Sequence, residues 1–337
     1  MGIEMSNFTD PAILFFVFGI LAGTLKSNLE IPQPISRFLS WYLLMALGLK
    51  GGFALAQSGL TPDVLVSLGA ALAMAFFVPL IGYSVLRRFL SGFDAAAIAA
   101  TYGSVSAVTF ITASQYLNNH GVAFGGHMAA AMALMESPAI VFAVVMANQV
   151  RRRMPTSADV VLLGCAEMAP LGSNPPLGKI LHEALTDGAQ LLLLGAMLIG
   201  WMTGEAGQAA MKPFSVDLFK GMLAFFLLDM GLLAARNMGQ LKGQSLWLVV
   251  YAVLGPLVHA GLALLLAWML SISVGNGALL MVLSASASYI AVPAVIRHAI
   301  PEASPTLYFG MSLGLTFPFN ILLGIPLYLA VAQHVLA

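Results

Sequence analysis

Apolar residues run through this 337-residue chain in about ten stretches, near 11–27, 36–57, 62–87, 93–117, 121–150, 188–203, 214–235, 244–271, 275–299 and 305–335. A bilayer-spanning helix needs roughly 20 mainly apolar residues, so the pattern predicts about ten transmembrane helices. Turn chemistry separates them: Ile31-Pro32-Gln33-Pro34, Ser58-Gly59-Leu60-Thr61-Pro62, Ser91-Gly92, Asn118-Asn119-His120-Gly121, Gly239-Gln240, Gly275-Asn276-Gly277 and Pro301–Pro305. The longest polar interruption, 151–187, is expected to be a cytoplasmic connection between a first half, 1–150, and a second, 188–337.

Two stretches differ from the rest. Thr101–Ser114 and Ala285–Val295 each carry a Ser-x-Ser in a run poor in strong helix formers, and Ser104/Ser106 match Ser286/Ser288 at a spacing of 182. Gly103-Ser104-Val105-Ser106-Ala107-Val108-Thr109 can unwind locally, because its own hydroxyls recapture freed backbone groups. Ser286-Ala287-Ser288-Tyr289-Ile290-Ala291-Val292-Pro293 adds a proline, which lacks an N–H and clashes with the preceding turn. The fourth and ninth helices are therefore predicted to be broken. Elsewhere Leu47-Gly48-Leu49 matches Met230-Gly231-Leu232, Pro79-Leu80 matches Pro256-Leu257, and Pro138 matches Pro318, in the same order. With five spans per half, the second half starts from the other side of the membrane. The pattern thus predicts two inverted five-helix repeats, the plan of many secondary transporters.

Composition narrows the function classes. Hydrophobic residues make up 60% of the chain and charged residues 8%, against roughly a quarter charged in soluble domains, so the chain folds in lipid and is not read as a globular enzyme. Lys+Arg and Asp+Glu balance at 14 each, which removes the basic excess of a nucleic-acid binder. Cys165 is the single cysteine, so no internal disulfide forms. No His/Cys cluster of metal-site spacing and no nucleophile motif appears, and no cofactor is expected. No basic leader precedes the first apolar run, which is expected to stay as a helix. Lys26/Arg37, Arg87/Arg88, Arg151-Arg152-Arg153, Arg236/Lys242 and Arg297 fall on alternate connections, predicting a cytoplasmic face of the cell inner membrane with both termini outside.

Broken helices bring chemistry to the midplane. Half-helix N-termini offer unpaired N–H groups and partial positive charge to a small anion, while freed carbonyls and hydroxyls suit Na⁺. The candidate substrate ligands are Gly103, Ser104, Ser106, Thr109, Ser286, Ser288 and Tyr289. The same small residues also suit close helix packing with hydroxyls bonded across the interface. Glu136 and Ser137, before Pro138 and a further expected helix break, are candidate cation ligands with Asn320 of the matching tenth segment. Glu136 is alternatively a proton carrier or a locally satisfied carboxylate, and Asn320 a helix-to-helix hydrogen bonder. Lys50 and Asp229, near the equivalent Gly48 and Gly231, are candidate coupling or gating residues, either as a buried ion pair or with Lys50 as a substitute cation. His259 and His298 read as interface or membrane-surface histidines, with proton relays as the alternative.

"GSVSAVT" at 103–109, "ESPAIVFAVVMAN" at 136–148, "GPLVHAG" at 255–261, "IRHAIPEASP" at 296–305 and the "GLKGGFAL" turn at 48–55 are similar to the cyanobacterial sodium-dependent bicarbonate transporters and their bacterial relatives, nearly end to end. The resemblance implies ten helices in two inverted repeats, a core domain moving against a gate domain, Na⁺-coupled bicarbonate uptake, a homotrimer and a PII-like regulator on the cytoplasmic side. Two positions depart from that pattern. The family's acidic residue in the ninth-segment serine run is here Tyr289, and its Thr in the second-segment turn is Lys50. A buried ammonium near the site would supply the charge that a coupling Na⁺ brings, so weaker Na⁺ dependence is expected. Na⁺-coupled bicarbonate symport leads the functional reading, with membrane lipid as the surrounding partner. A proton-coupled or uniport carrier of another small solute, without a sodium site, and a passive channel are the alternatives.

Overall fold

The computed structural model describes residues 10–59, 61–153, 188–239 and 244–337. Most of the 151–187 connection lies outside the described residues. Every regular element among them is helical: α1 Pro11–Thr24, α2 Gln33–Ser58, α3 Pro62–Leu86, α4 Gly92–Gly103, α5 Ala107–Asn119, α6 Met128–Arg153, α7 Gly188–Lys212, a π turn Pro213–Asp217, α8 Phe219–Met238, α9 Leu246–Met269, α10 Val274–Ala285, α11 Ala291–Ala299 and the composite α12 Pro305–Val335. Helix starts follow the local sequence. Asp10 caps α1 by accepting from Ala12 N–H at 2.8 Å, and prolines open α1, α3 and α12 where a missing N–H loses nothing.

Among the described residues, seven helical segments are long and apolar enough to cross a membrane: Gln33–Gln57, Pro62–Leu86, Gly92–Asn119, Met128–Arg151, Leu191–Met238, Leu246–Met269 and Pro305–Val335. Pro11–Thr24 and Val274–Ala285 are shorter apolar helices. The 48 residues of Leu191–Met238 exceed one crossing, since at 1.5 Å per residue they reach about 72 Å against a hydrocarbon core of about 30 Å. The backbone leaves the helix at Gly204 (φ 52, ψ −137), a left-handed conformation that glycine accepts without strain. That position agrees with the end of the sixth apolar stretch.

Glycines set the closest helix pairs. A Cβ on Gly19 would meet Leu228 O at 2.3 Å and one on Gly23 the Ala235 Cβ at 2.7 Å, so α1 and α8 run parallel with backbones in contact. Gly48 and Gly52 do the same on α7, where added Cβ atoms would meet Leu193 O at 2.4 Å and Met197 O at 2.1 Å. Both pairs use small residues four apart, the spacing that lets membrane helices approach closely. The "GLKGGFAL" segment is therefore no turn but the middle of α2, and its glycines serve packing. α8 also touches α2, where the Tyr42 hydroxyl donates to the Phe214 carbonyl just before α8, and Ser36 donates to Asp229 at 2.5 Å.

The remaining helices surround α4, α5 and α10, the most enclosed elements: 94% of the apolar window in Gly92–Asn119 is buried, against 39–71% in the other candidate spans. Alanines at 95–97 and 99–100 let α3 and α6 close on α4. The break expected at Pro138 does not occur. α6 continues through Pro138 without a break. α12 instead widens into π turns at Gly310–Thr316 and Asn320–Gly324, on either side of Pro318, whose missing N–H frees the carbonyls before it. At the end of α6, Arg151 makes paired bonds to Glu302 at 2.7 and 2.8 Å and one to Ala299 O at 2.9 Å, tying α6 to the end of α11.

Candidate functional site

The chain leaves the helix between Gly103 and Ala107 and again between Ala285 and Ala291, and the two interruptions cross each other. Ser106, extended at φ −101 and ψ 111, caps α5 by accepting from Thr109 N–H at 3.2 Å. Ser288, two residues before Ile290 at the start of α11, accepts from Val292 N–H in that helix's first turn at 3.3 Å. Ser288 N–H donates to Thr101 O at 2.8 Å. Ser106 N–H donates at 3.0 Å to Ser286 Oγ, which donates at 2.8 Å to Leu283 O. Thr101 and Leu283 are matching positions at the 182 spacing. Each break thus sends one N–H to the last turn of the other, directly in one case and through a serine hydroxyl in the other. Asn320 completes the closure, donating to Ala285 O at 2.8 Å and accepting from the Tyr328 hydroxyl at 3.0 Å.

Beside the crossing lies a cavity of about 60 Å³, lined by Ser106, Glu136, Ser288 and Tyr289 on one side and by Ser40 of α2 and Leu193 of α7 on the other. That space suits one small oxyanion or a few waters. It adjoins a vestibule of about 910 Å³ through the shared residues Ser40, Ala189, Tyr289 and Ile290, and the vestibule reaches Arg37 and Arg297. The cavity therefore communicates with the face that carries the basic residues. Two helix N-termini, those of α5 and α11, give it positive potential, and Glu136 adds a carboxylate. Tyr289 is buried, stands edge-on to Phe317 at 5.3 Å, and donates its hydroxyl to Met230 Sδ of α8 at 3.6 Å.

Four of the expected ligands, Ser106, Ser288, Tyr289 and Glu136, are brought to this cavity. Others stand behind it. Gly103 packs on Pro79, where a Cβ would meet ring carbons at 2.7 Å, and Ser286 and Asn320 hold the breaks together. The Ser104 and Thr109 hydroxyls are buried and have no hydrogen-bond partner among the described residues. The side chains of Ser137 and His298 lie outside the described residues. Lys50 and Asp229 are not an ion pair: Lys50 Nζ sits 3.7 Å over the Phe219 ring, and Asp229 takes the Ser36 hydroxyl. Lys50 does not line the central cavity but opens on a separate one, six residues or about 9 Å of helix beyond Leu44 in the central cavity's wall. Ser40 was missed by sequence reasoning. Its signal was a second hydroxyl four residues after Ser36, on one face of an apolar helix.

No curated protein matches the chain. Matched over residues 11–333 by the model of the Na⁺-dependent bicarbonate transporter superfamily, this multi-pass membrane protein belongs to that family.

Proposed function

We propose that the protein is a secondary transporter that moves bicarbonate with Na⁺ by alternating access. The cavity carries the reading: Ser106 caps one half-helix, Ser288 accepts from the first turn of another, both face one small space, and Glu136 lines the same space. Hydroxyls and helix N-termini hold the anion. A bare anion beside a carboxylate is repelled, and a cation between them removes the repulsion, so coupling follows from the charges. Glu136 can also meet that need by taking a proton, which keeps proton coupling as the second reading.

Ten crossings in two inverted five-helix repeats are the proposed topology. The crossed breaks exchange matching N–H bonds, and α1 with α8 and α2 with α7 form two parallel pairs. An in-plane two-fold would interchange those pairs. On this plan α1, α2, α7 and α8 form the gate and the other helices the core, with the central cavity between them. The basic vestibule opens to the cytoplasm, with both termini outside, in the cell inner membrane. A homotrimer and a PII-like regulator rest on the family resemblance alone.

Proteoliposome uptake of labelled bicarbonate, driven by an inward Na⁺ gradient and compared with choline, tests the reading. Uptake is expected in Na⁺ and is lowered at least about tenfold in Ser106→Ala and Ser288→Ala, each of which removes a hydroxyl bonded to a first-turn N–H, worth ~1 kcal/mol, and a contact to the anion. Full uptake in both variants would remove the site assignment. Uptake that follows a pH gradient and ignores Na⁺ would favour the proton.

A further inference from the structure

Lys50 has a cavity of its own. About 270 Å³ in volume, it is lined by Lys50, Phe110, Ser114, Gln115, Asn118 and Phe219 among others, and no Asp or Glu is among them. The Lys50 ammonium makes no ion pair with any described residue, and its ring contact with Phe219 leaves the charge unneutralised. Its charged neighbour is Lys220, also positive. An ammonium held within a membrane protein without a counter-ion is costly, and an anion arriving beside it offsets that cost.

The cavity's place gives the anion a route. Leu44 and Met132 line the central cavity, whereas Leu47 and Ala129, one turn away on the same two helices, line the Lys50 cavity. One turn is about 5 Å, and buried Phe110 fills the layer between. The Lys50 cavity lies toward the 118–121 connection, which has no Lys or Arg, on the side away from the basic vestibule.

We propose that Lys50 and its cavity form a second subsite for a small anion, separated from the central cavity by the single layer of Leu47 and Phe110, at which the anion is held on the side opposite the basic vestibule. Lys50 supplies the charge, and the Gln115 and Asn118 amides lie along the wall. The choice of bicarbonate as probe rests on the transport reading; the subsite itself does not.

The test uses the full-length protein, purified in detergent, with Cys165→Ser and a reporter Gln115→Cys in the cavity wall. Labelling rates are compared for a negatively charged and a positively charged methanethiosulfonate, each normalised to its rate with free cysteine. One unit charge about 6 Å away in water-like surroundings changes each reagent's local concentration roughly threefold in opposite directions, so the anionic reagent is favoured about tenfold. Lys50→Met should abolish that preference and Lys50→Arg should keep it. Bicarbonate should slow labelling severalfold more than gluconate at the same pH and ionic strength. If bicarbonate slows labelling no more than gluconate with Lys50 intact, or if Lys50→Met keeps the preference, the proposal is overturned. Labelling needs no turnover, so a protein that fails to take up bicarbonate can still confirm the subsite, and one that transports can still lack it.

Discussion

Glu136→Gln isolates the electrostatic reason for coupling. The cavity's 60 Å³ is the space open to the centre of a water-sized atom, a sphere of radius about 2.5 Å, and a wall oxygen lies about one contact distance beyond it, so an anion centred there is about 5 Å from the carboxylate. At an effective dielectric near 20, two negative charges at that separation repel by ~3 kcal/mol, on the order of a hundredfold in affinity. Saturating Na⁺ should therefore tighten bicarbonate binding to the wild-type protein by up to about a hundredfold, and bicarbonate should tighten Na⁺ by the same factor. In Glu136→Gln the repulsion is gone. Bicarbonate should then bind in choline buffer about as tightly as the wild type binds it in Na⁺, with less than about threefold dependence on Na⁺ remaining. Equilibrium binding of labelled bicarbonate to purified protein, in Na⁺ and in choline at one pH, measures both quantities. A variant that keeps the wild-type dependence on Na⁺ would refute the reasoning, because the cation would then be held away from Glu136.

Gly52→Val drives a side chain into the α7 backbone, where even the Cβ would lie 2.1 Å from Met197 O. It should abolish the folded monodisperse peak in size-exclusion chromatography, whereas Gly69→Ala, with nothing within 4 Å, should raise Tm slightly, by ~0.5–1 kcal/mol of helix preference. Asn320→Ala leaves the Ala285 carbonyl and the Tyr328 hydroxyl unpartnered, at about 1–3 kcal/mol each. Tm should fall while the Na⁺ concentration for half-maximal uptake stays unchanged; a large rise in that concentration would make Asn320 a cation ligand. Glu302 is held below its ordinary value of 4.5, chiefly by its hydrogen bonds from Arg151. A depressed folded value means that the pair stabilises the protein above the ordinary value and loses its effect as pH falls through the folded one. The Tm difference between wild type and Glu302→Gln should accordingly hold steady from about pH 8 to 5 and close below about pH 4.

Hydropathy located the helices because lipid imposes a length on every apolar stretch, and the Ser-x-Ser runs located both interruptions because weak helix formers with local hydroxyls can leave the helix at low cost. The same style of reasoning failed at Pro138 and at Gly48–Gly52. One missing N–H in α6 does not outweigh the packing of a 26-residue helix, and glycines in a membrane helix are as much contact surfaces as turn formers. The Lys50–Asp229 pairing failed for another reason. Matching positions in two halves of a chain meet only where the halves cross, as the serine runs do, and Lys50 and Asp229 lie on the flanks of α2 and α8 with other partners. Ser40 escaped because a lone serine in an apolar helix is ordinary until the facing helices are known.

The seam between the two helix groups is closed at one end and open at the other. Toward the Lys50 side, Gly51 of α2 abuts Gly126 before α6 so closely that a Cβ on Gly126 would meet Gly51 O at 2.4 Å. Toward the basic face, the same seam parts into the 910 Å³ vestibule. Between them Tyr289 spans the seam with a hydroxyl-to-sulfur bond at 3.6 Å, a weak polar contact. Within each glycine-paired helix couple, backbone rests on backbone, and the crossed breaks are bonded to each other, so neither group can deform at little cost. The seam is the part that can give. Both Gly51 and Gly126 line the Lys50 cavity, so parting that contact would widen the second subsite at the same time as it thinned the Leu47–Phe110 layer beneath it. On the proposed alternating-access cycle, a single rigid-body shift at the seam would connect the two proposed anion positions while the vestibule closed.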